Sequence, residues 1–176
     1  MSKFANVIID KFGINEKTSK KLKDALVKTS AEKIKKMSVD DTKKLINSSE
    51  GKGNDRGHTL ATHMNITDEA LQARSKTKDK TGASKFTNHK VMQEFVNNVL
   101  DDEADHIAKW LKSDKKDDFT SRKHKSKTPL GYGYKFNKQK NEYKRSDKLD
   151  TGIVVLKKDD SNEYGFIVKT AYPYVK

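Results

Sequence analysis

Cysteine is absent from this 176-residue chain, and the absence removes several classes of protein at once. Disulfide-stabilised folds, thiol-dependent enzymes and cysteine-ligated zinc sites all require the missing side chain. The fold can therefore work in a reducing cytosol. Long apolar runs are missing too, so no segment is expected to span a membrane. The first ten residues also hold too short an apolar stretch for a secretory signal.

Apolar residues are scarce at 32 %, whereas charged residues reach 36 %. This balance predicts one domain with a compact core, long charged loops and room for a small appendage. We find no internal repeat, no Walker-type phosphate loop and no Rossmann glycine fingerprint. The chain is therefore not expected to be a nucleotide-binding enzyme of either of those types.

Positive charge dominates, with a formal net charge of +13. Such a surface attracts nucleic acid, an anionic membrane or an acidic protein partner. A lysine-rich surface can also serve solubility alone, because net charge governs non-specific binding and not the fold. The charge therefore favours an anionic partner but does not distinguish nucleic acid from a membrane or an acidic protein.

Helical patterns fill the first part of the chain. Residues 1–47 predict three or four short lysine-rich helices, the first with an apolar face at Phe4, Val7, Ile8 and Phe12. Thr29 with Glu32, and Ser38 with Asp41, have the form of capping boxes at helix starts. No residue in this part suggests catalysis, so we interpret residues 1–50 as a helical adaptor or delivery segment.

The middle of the chain predicts four more helices. After the glycine-rich break at 48–55, short helices are expected over 57–64 and 68–74, with Thr67 as the N-cap of the second. Residues 75–85 are expected to form a flexible loop. Asn88 is then predicted to cap a long helix with apolar positions from Val91 to Leu100, and a last helix is predicted at about 103–112.

The final third of the chain predicts β-structure. Residues 113–128 are expected to be a charged loop, and loops are expected to dominate 113–150. Gly131–Phe136 alternates as a strand does, while Ile153–Leu156 and Tyr164–Val168 predict a hairpin. The predicted class is α+β, with N-terminal helices followed by an antiparallel sheet.

Two of the five histidines, His58 and His63, lie close together in the stretch Gly-His-Thr-Leu-Ala-Thr-His. Histidine gives and takes protons near neutral pH, although both could also be ordinary surface or core residues. Zinc helices place histidines four residues apart with a glutamate between them. Here the spacing is five, without a carboxylate, which separates the rings by about 140° on an ideal helix, so a metal site is not expected.

Metal-free RNA cleavage is the chemistry that these residue types favour. The RNA 2′-hydroxyl attacks its own phosphorus while one group removes its proton, another protonates the leaving oxygen, and cationic or hydroxyl donors stabilise the phosphate charge. The chain offers His58, His63, Arg74, Thr170 and Tyr172 for these roles. Thr170 and Tyr172 would share one face of a terminal strand, with Ala171 facing away.

Several motifs, in order, resemble one known family. They are Gly57-His58-Thr59, His63, Thr67-Asp68-Glu69, Arg74, Ser84-Lys85-Phe86-Thr87, Trp110-Leu111, Val155-Leu156-Lys157 and Thr170–Pro173. Together they resemble the bacterial RNase A-like toxin domain found at the C-termini of contact-dependent growth inhibition proteins and other polymorphic toxins. The chain departs from the family pattern in its long lysine-rich loops and in Asn65-Ile66, which replaces the usual Gly-Lys.

The resemblance implies a kidney-shaped, two-lobed α+β fold without disulfides over residues 51–176. It implies catalysis by His63, Arg74, Thr170 and Tyr172, with His58 as a second candidate for proton transfer and without a metal or cofactor. It also implies a secreted or surface-delivered monomeric toxin that cleaves RNA in the cytosol of a target cell. A cognate immunity protein, acidic to complement the charge, would neutralise it.

Two other interpretations remain open. The chain could be a basic nucleic-acid-binding module without catalytic activity, or a toxin of similar ancestry that does not act on RNA.

Three histidines remain outside the proposed site and are expected to be dispensable for activity. They are His89 on the long helix, His106 on the following helix and His124 in a charged loop. The RNA class, the base preference and the choice between His58 and His63 as base are left undetermined.

Overall fold

The computed structural model describes residues 16–51, 55–77 and 82–175. The helices in these ranges are α1 (Glu16–Lys35), α2 (Val39–Ser49), α3 (Thr59–His63), α4 (Asp68–Thr77), α5 (His89–Asp102) and α6 (Ala104–Leu111). The strands are β1 (Ala83–Phe86), β2 (Phe119–Thr120), β3 (His124–Lys125), β4 (Gly131–Asn137), β5 (Glu142–Leu149), β6 (Thr151–Lys158) and β7 (Phe166–Pro173). The helix predicted near Phe4–Phe12 lies outside the described residues.

The strands form two antiparallel sheets. In the first, β4 lies between β1 and β5. In the second, β6 pairs with β7 along one edge and with the short strands β2 and β3 along the other. The β6–β7 hairpin predicted from the sequence is present and is longer than expected.

Two hydrophobic clusters accompany the two sheets. The larger one gathers residues from α1, α2, α5, α6, β1, β6 and β7, with Phe86, Leu100, Ile107, Leu156 and Phe166 fully buried. The smaller cluster joins Leu71 of α4 to Ala83 and Tyr134 of the first sheet. The predicted α+β class with antiparallel pairing is confirmed. The strands are divided between two sheets, however, and β1 precedes α5 and α6.

Helix starts were predicted with mixed success. Asn88 caps α5, its side chain accepting from the Val91 N–H at 2.9 Å, and Thr67 accepts from the Ala70 N–H at 3.3 Å. Ser38 forms a full capping box with Asp41 at the start of α2. The box predicted at Thr29 is wrong, because α1 runs through that position and the Thr29 hydroxyl donates to the Ala25 carbonyl.

Two predicted loops contain regular structure. Within residues 75–85, α4 continues to Thr77 and β1 begins at Ala83. Within residues 113–150, β2, β3 and the eight-residue β5 are all strands. The strand β5 was missed because most of its side chains are polar and exposed, so burial leaves no alternating pattern to recognise.

No described helix has both the length and the apolar character that crossing a membrane would require.

A buried carboxylate, Glu103, ties the start of α6 to the segment between β2 and β3. Its side chain is 2 % exposed and accepts from the guanidinium of Arg122 at 2.8 Å, from His106 at 2.7 Å and from His124 at 3.0 Å. Burial alone would raise the pKa of Glu103, but these hydrogen bonds lower it to about 2. His106 and His124 therefore have structural partners.

We expect this carboxylate to make the fold acid-sensitive. Because the folded-state pKa of Glu103 is depressed, its contribution to stability is complete above about pH 4.5 and is lost as the pH falls towards 2. Glu103→Gln should lower the free energy of unfolding at pH 7 by about 2 kcal/mol. It should also flatten the dependence of the urea midpoint on pH below 5. Glu94→Gln, on the exposed side of α5, is the matched control, and an equally flat profile for it would contradict this role for Glu103.

Candidate active site

In the described part of the chain, the backbone groups on the outer edge of β7 bond to side chains and loops and not to another strand. The Val168 N–H donates to the hydroxyl of Ser49, the last residue of α2, at 3.0 Å. Next to this bond, the Gly57 N–H donates to the Ser49 carbonyl at 2.7 Å. A Cβ atom at Gly57 would collide with the Val168 carbonyl oxygen. The glycine that opens the histidine stretch is thus required by a close backbone approach.

The short helix α3 is fixed to the same edge. The His58 N–H donates to the Lys169 carbonyl at 3.0 Å, and the hydroxyl of Thr59 accepts from the Ala171 N–H at 3.0 Å. Both Thr59 and Ala171 are fully buried. A single turn of helix is unstable alone, so these two bonds determine where α3 lies.

Glu50 supports the beginning of α3. Its carboxylate accepts from the Leu60 N–H at 2.8 Å and from the Ala61 N–H at 3.4 Å. These are the N–H groups that a first helical turn leaves without partners inside the helix. A residue from the N-terminal segment therefore caps the helix that carries His63.

His63 lies at the end of α3 with a defined ring orientation. It is 6 % exposed, and its Nδ1 lies 2.8 Å from the Ser84 carbonyl oxygen. A carbonyl oxygen only accepts, so Nδ1 carries the proton and proton transfer to a substrate falls to Nε2. The ring stacks on Tyr172 with centroids 5.3 Å apart. Ser84 is itself held by its hydroxyl, which donates to the Pro173 carbonyl.

Arg74 reaches the site from α4. One guanidinium nitrogen, Nη1, donates to the Thr62 carbonyl at 2.9 Å. Burial lowers the pKa of Arg74 from its ordinary value, yet a guanidinium remains charged in proteins. One bond fixes the position of the group while further N–H donors of its planar fork can bind an anion.

Thr170 and Tyr172 lie on the same face of β7. The hydroxyl of Thr170 has almost no solvent exposure and finds no hydrogen-bond partner within the described residues. A buried hydroxyl of this kind requires an explanation, and a ligand is one. Burial, with a smaller effect from Tyr174, raises the pKa of Tyr172. Its hydroxyl therefore stays protonated at neutral pH and can donate.

All five residues predicted from the sequence border one pocket of about 180 Å³. Its lining consists of His58, His63, Arg74, Thr170 and Tyr172 with Gly82, Ala83, Ser84, Pro173 and Val175. The angle of 140° expected between the histidines does not apply. His58 precedes the helix, with φ −144° and ψ 25°, so both histidines reach the same pocket.

Sequence reasoning missed the residues that hold this site in place. Ser84 was noticed only as part of a motif, and its carbonyl turned out to orient His63. Ser49 and Glu50 were assigned to a linker or to its border, although they bond to β7 and α3. In the sequence these two residues appear only as a serine and a glutamate that precede a glycine-rich stretch. Over the described ranges, no three His, Asp or Glu side chains are grouped as metal ligands would be.

The described residues form a cysteine-free α+β fold with one pocket that brings together histidine, arginine, threonine and tyrosine side chains. The family model of the bacterial CdiA-CT RNAse A domain matches residues 57–173, more than half of the chain. The chain belongs to this family and is a toxin nuclease domain of the RNase A-like type. The resemblance seen in the sequence is thereby confirmed.

One solved structure supports the fold independently. A crystal structure of a CdiA-CT/CdiI complex from Y. kristensenii 33638 is similar, with a TM-score of 0.55 and 20 % sequence identity. The match covers 66 % of this chain and 98 % of the other. At this identity the likeness concerns the fold. No curated protein sequence matches the chain.

The bond between Thr59 and β7 can be tested by an isosteric change. Thr59→Val leaves the buried Ala171 N–H without its acceptor, which should cost about 1–3 kcal/mol in the free energy of unfolding. Thr59→Ser retains the acceptor and should recover most of the loss. Urea unfolding measures both, with Thr29→Val on the exposed face of α1 as the control. Equal stability of Thr59→Val and wild type would show that this bond does not hold α3.

Proposed function

We propose that this domain cleaves RNA by metal-independent transphosphorylation through the 2′-hydroxyl. The observation that carries the proposal is the combination in one pocket of a buried, oriented imidazole, a guanidinium and a buried hydroxyl that has no partner among the described residues. These groups supply a proton acceptor or donor and stabilise negative charge on phosphate. The roles of the individual residues are part of the proposal.

His63 is the proposed proton-transfer residue. With Nδ1 bonded to the Ser84 carbonyl, neutral Nε2 can take the proton of the 2′-hydroxyl, or protonated Nε2 can give one to the leaving 5′-oxygen. His58 borders the same pocket and is the proposed second member of the pair. The division of the two steps between them is left to experiment.

The other three residues are proposed to bind the scissile phosphate. Arg74 would contact non-bridging oxygens through its planar N–H groups. Thr170 and Tyr172 would donate from one face of β7, and the stacking of Tyr172 on His63 keeps donor and imidazole side by side. Donors already in place when charge develops lower the barrier without reorganisation.

The biological setting follows the family. The similar crystal structure is titled as a CdiA-CT/CdiI complex, and we propose that a cognate immunity protein likewise neutralises this toxin. The charge of +13 favours an acidic partner. Delivery into a neighbouring cell and action in its cytosol are part of the same proposal.

We propose that the N-terminal segment also supports the nuclease. The predicted boundary between residues 1–50 and 51–176 stays a prediction, as does the delivery or adaptor role. Ile34, Leu45 and Ile46 nevertheless lie in the main hydrophobic cluster, and Ser49 and Glu50 bond to β7 and α3. Removing α1 and α2 would therefore disturb the pocket.

The site residues can be tested by conservative substitutions. His63→Ala should lower the rate of RNA cleavage by about 10²–10⁴-fold, the usual worth of an acid or base group. Arg74→Lys should not restore activity, because an ammonium lacks the planar fork. Thr170→Val and Tyr172→Phe should each lower turnover while the thermal midpoint stays near that of the wild type.

His89→Ala is the matched control for these variants, since His89 lies exposed at the start of α5. His106 and His124 are unsuitable because both bond to Glu103. The assay combines toxicity on expression without immunity protein with cleavage of total RNA by purified, folded variants. Full activity of both His63→Ala and Tyr172→Phe would refute the site assignment.

The proposed independence of metal ions can be tested directly. The wild-type protein should retain full activity in EDTA and leave 2′,3′-cyclic phosphate ends, because the nucleophile comes from the RNA itself. Mass spectrometry of the products of a defined RNA identifies these ends. A strict requirement for added Mg²⁺, or products with only linear phosphates from the first turnover, would contradict the mechanism. Binding to RNA without cleavage would favour the non-catalytic module.

A further inference from the structure

The sheet formed by β1, β4 and β5 carries a row of aromatic residues outside the pocket. Alternate positions of β4 place Tyr132, Tyr134 and Phe136 on one face. Cross-strand pairing places Arg145 opposite Tyr134 and Tyr143 opposite Phe136. Five side chains capable of stacking thus follow one face of the β4–β5 hairpin.

The inner part of this row already has partners from α4. The hydroxyl of Tyr134 donates to the Asp68 carboxylate at 2.9 Å, and Tyr132 donates to the same group. Burial, with this carboxylate, raises the pKa of Tyr132 to about 12. The Arg145 guanidinium lies 4.3 Å from the Tyr132 ring centroid. These contacts fix the inner end of the row against α4.

The outer end is open to solvent. Phe136 and Tyr143 pack together with ring centroids 5.1 Å apart, and Tyr143 is 36 % exposed. Both border a groove of about 710 Å³ at the end of the hairpin. The Lys76 ammonium lies 5.1 Å and 5.4 Å from the two ring centroids. An exposed aromatic pair beside a cation is a surface that nucleotide bases and phosphates both fit.

Charge around the groove is strongly positive. The groove is bordered by four lysines and one glutamate: Lys135, Lys138, Lys140, Lys144 and Glu142. Lys76 adds a further positive charge from α4. The hairpin therefore complements a polyanion, and its rings can accept bases that are not already stacked in a duplex.

Helix α4 contributes one side chain to the pocket and one to the surroundings of the groove. Arg74 and Lys76 lie two residues apart on this helix, a rise of about 3 Å. Arg74 borders the pocket, whereas Lys76 lies over the hairpin rings. Since residues two apart on a helix point about 200° away from each other, the pocket and the groove lie on different sides of α4.

We propose that the end of the β4–β5 hairpin binds single-stranded RNA flanking the cleavage site, with a base stacked on the Phe136–Tyr143 pair and phosphates on the surrounding lysines. The inference rests on the proposed ribonuclease function and names the substrate class of that site. It makes the chain a nuclease for unpaired, extended RNA, held at a point separate from the scissile bond.

Binding is tested with a fluorescein-labelled single-stranded RNA whose riboses are all 2′-O-methylated, so that it cannot be cut. Tyr143→Leu keeps an apolar neighbour for Phe136 but removes a ring, and should weaken binding about tenfold. Lys138→Ala combined with Lys140→Ala should reduce the slope of affinity against salt by about one unit. Lys20→Ala combined with Lys23→Ala, exposed on α1, removes the same charge and should leave the affinity close to wild type.

Cleavage gives a second readout. On long single-stranded RNA, Tyr143→Leu should raise KM about tenfold with kcat preserved. On a dinucleoside monophosphate, which fills only the pocket, its kinetics should equal those of the wild type. Equal losses on both substrates would overturn the inference, because they would indicate a disturbed pocket.

The remaining outcomes separate this inference from the proposed function. Unchanged RNA binding by both hairpin variants overturns the inference and leaves the ribonuclease standing, as does equal affinity of the wild type for duplex and single strand. Weakened binding of the immunity protein with unchanged RNA binding overturns it in favour of a protein interface. Wild-type protein that binds the methylated RNA through the hairpin but cleaves neither substrate supports the hairpin surface and refutes the ribonuclease.

Discussion

Among the described strands, none pairs with the outer edge of β7, and the hydrogen bonds that its backbone groups make instead determine the geometry of the whole site. The hydroxyls of Ser49, Thr59 and Ser84 supply three of the hydrogen bonds along this edge. Buried backbone groups without partners are costly, so these side chains hold α2, α3 and β1 against the strand. The same contacts place His63 beside Tyr172. Fold stability and site geometry therefore depend on one set of bonds.

Local patterns in the sequence were enough to predict much of this arrangement. Alternation along Thr170-Ala171-Tyr172 correctly placed two hydroxyl side chains on one face, and Ala171 is fully buried on the other. The contacts that complete the site were not predictable in this way. Val168 meets Ser49 across 119 positions of the chain, and no local periodicity encodes such a contact. The carbonyl that orients His63 belongs to the backbone of Ser84, so the identity of that side chain does not reveal the contact.

Burial explains the other differences between prediction and structure. The long helix α5 was recognised because its apolar positions face the core, whereas β5 is polar along most of its length. β2 and β3 are two residues long, and they depend on pairing with β6 and on the contacts of Glu103. The charged segments that looked like loops therefore hold ordered structure. In the first sheet, β5 contributes Tyr143 and Lys144 to the basic groove at the end of the β4–β5 hairpin.

The central claim is that the RNA supplies its own nucleophile to a pocket held between α3 and β7. It is tested most directly with a defined RNA in which the ribose 5′ of one mapped cleavage site is replaced by 2′-deoxyribose, all other positions being unchanged. The account predicts that cutting stops at that site alone, while binding and cutting elsewhere continue. Continued cutting at the deoxyribose position would show that water is the nucleophile, and would contradict the roles given to His63, Arg74, Thr170 and Tyr172.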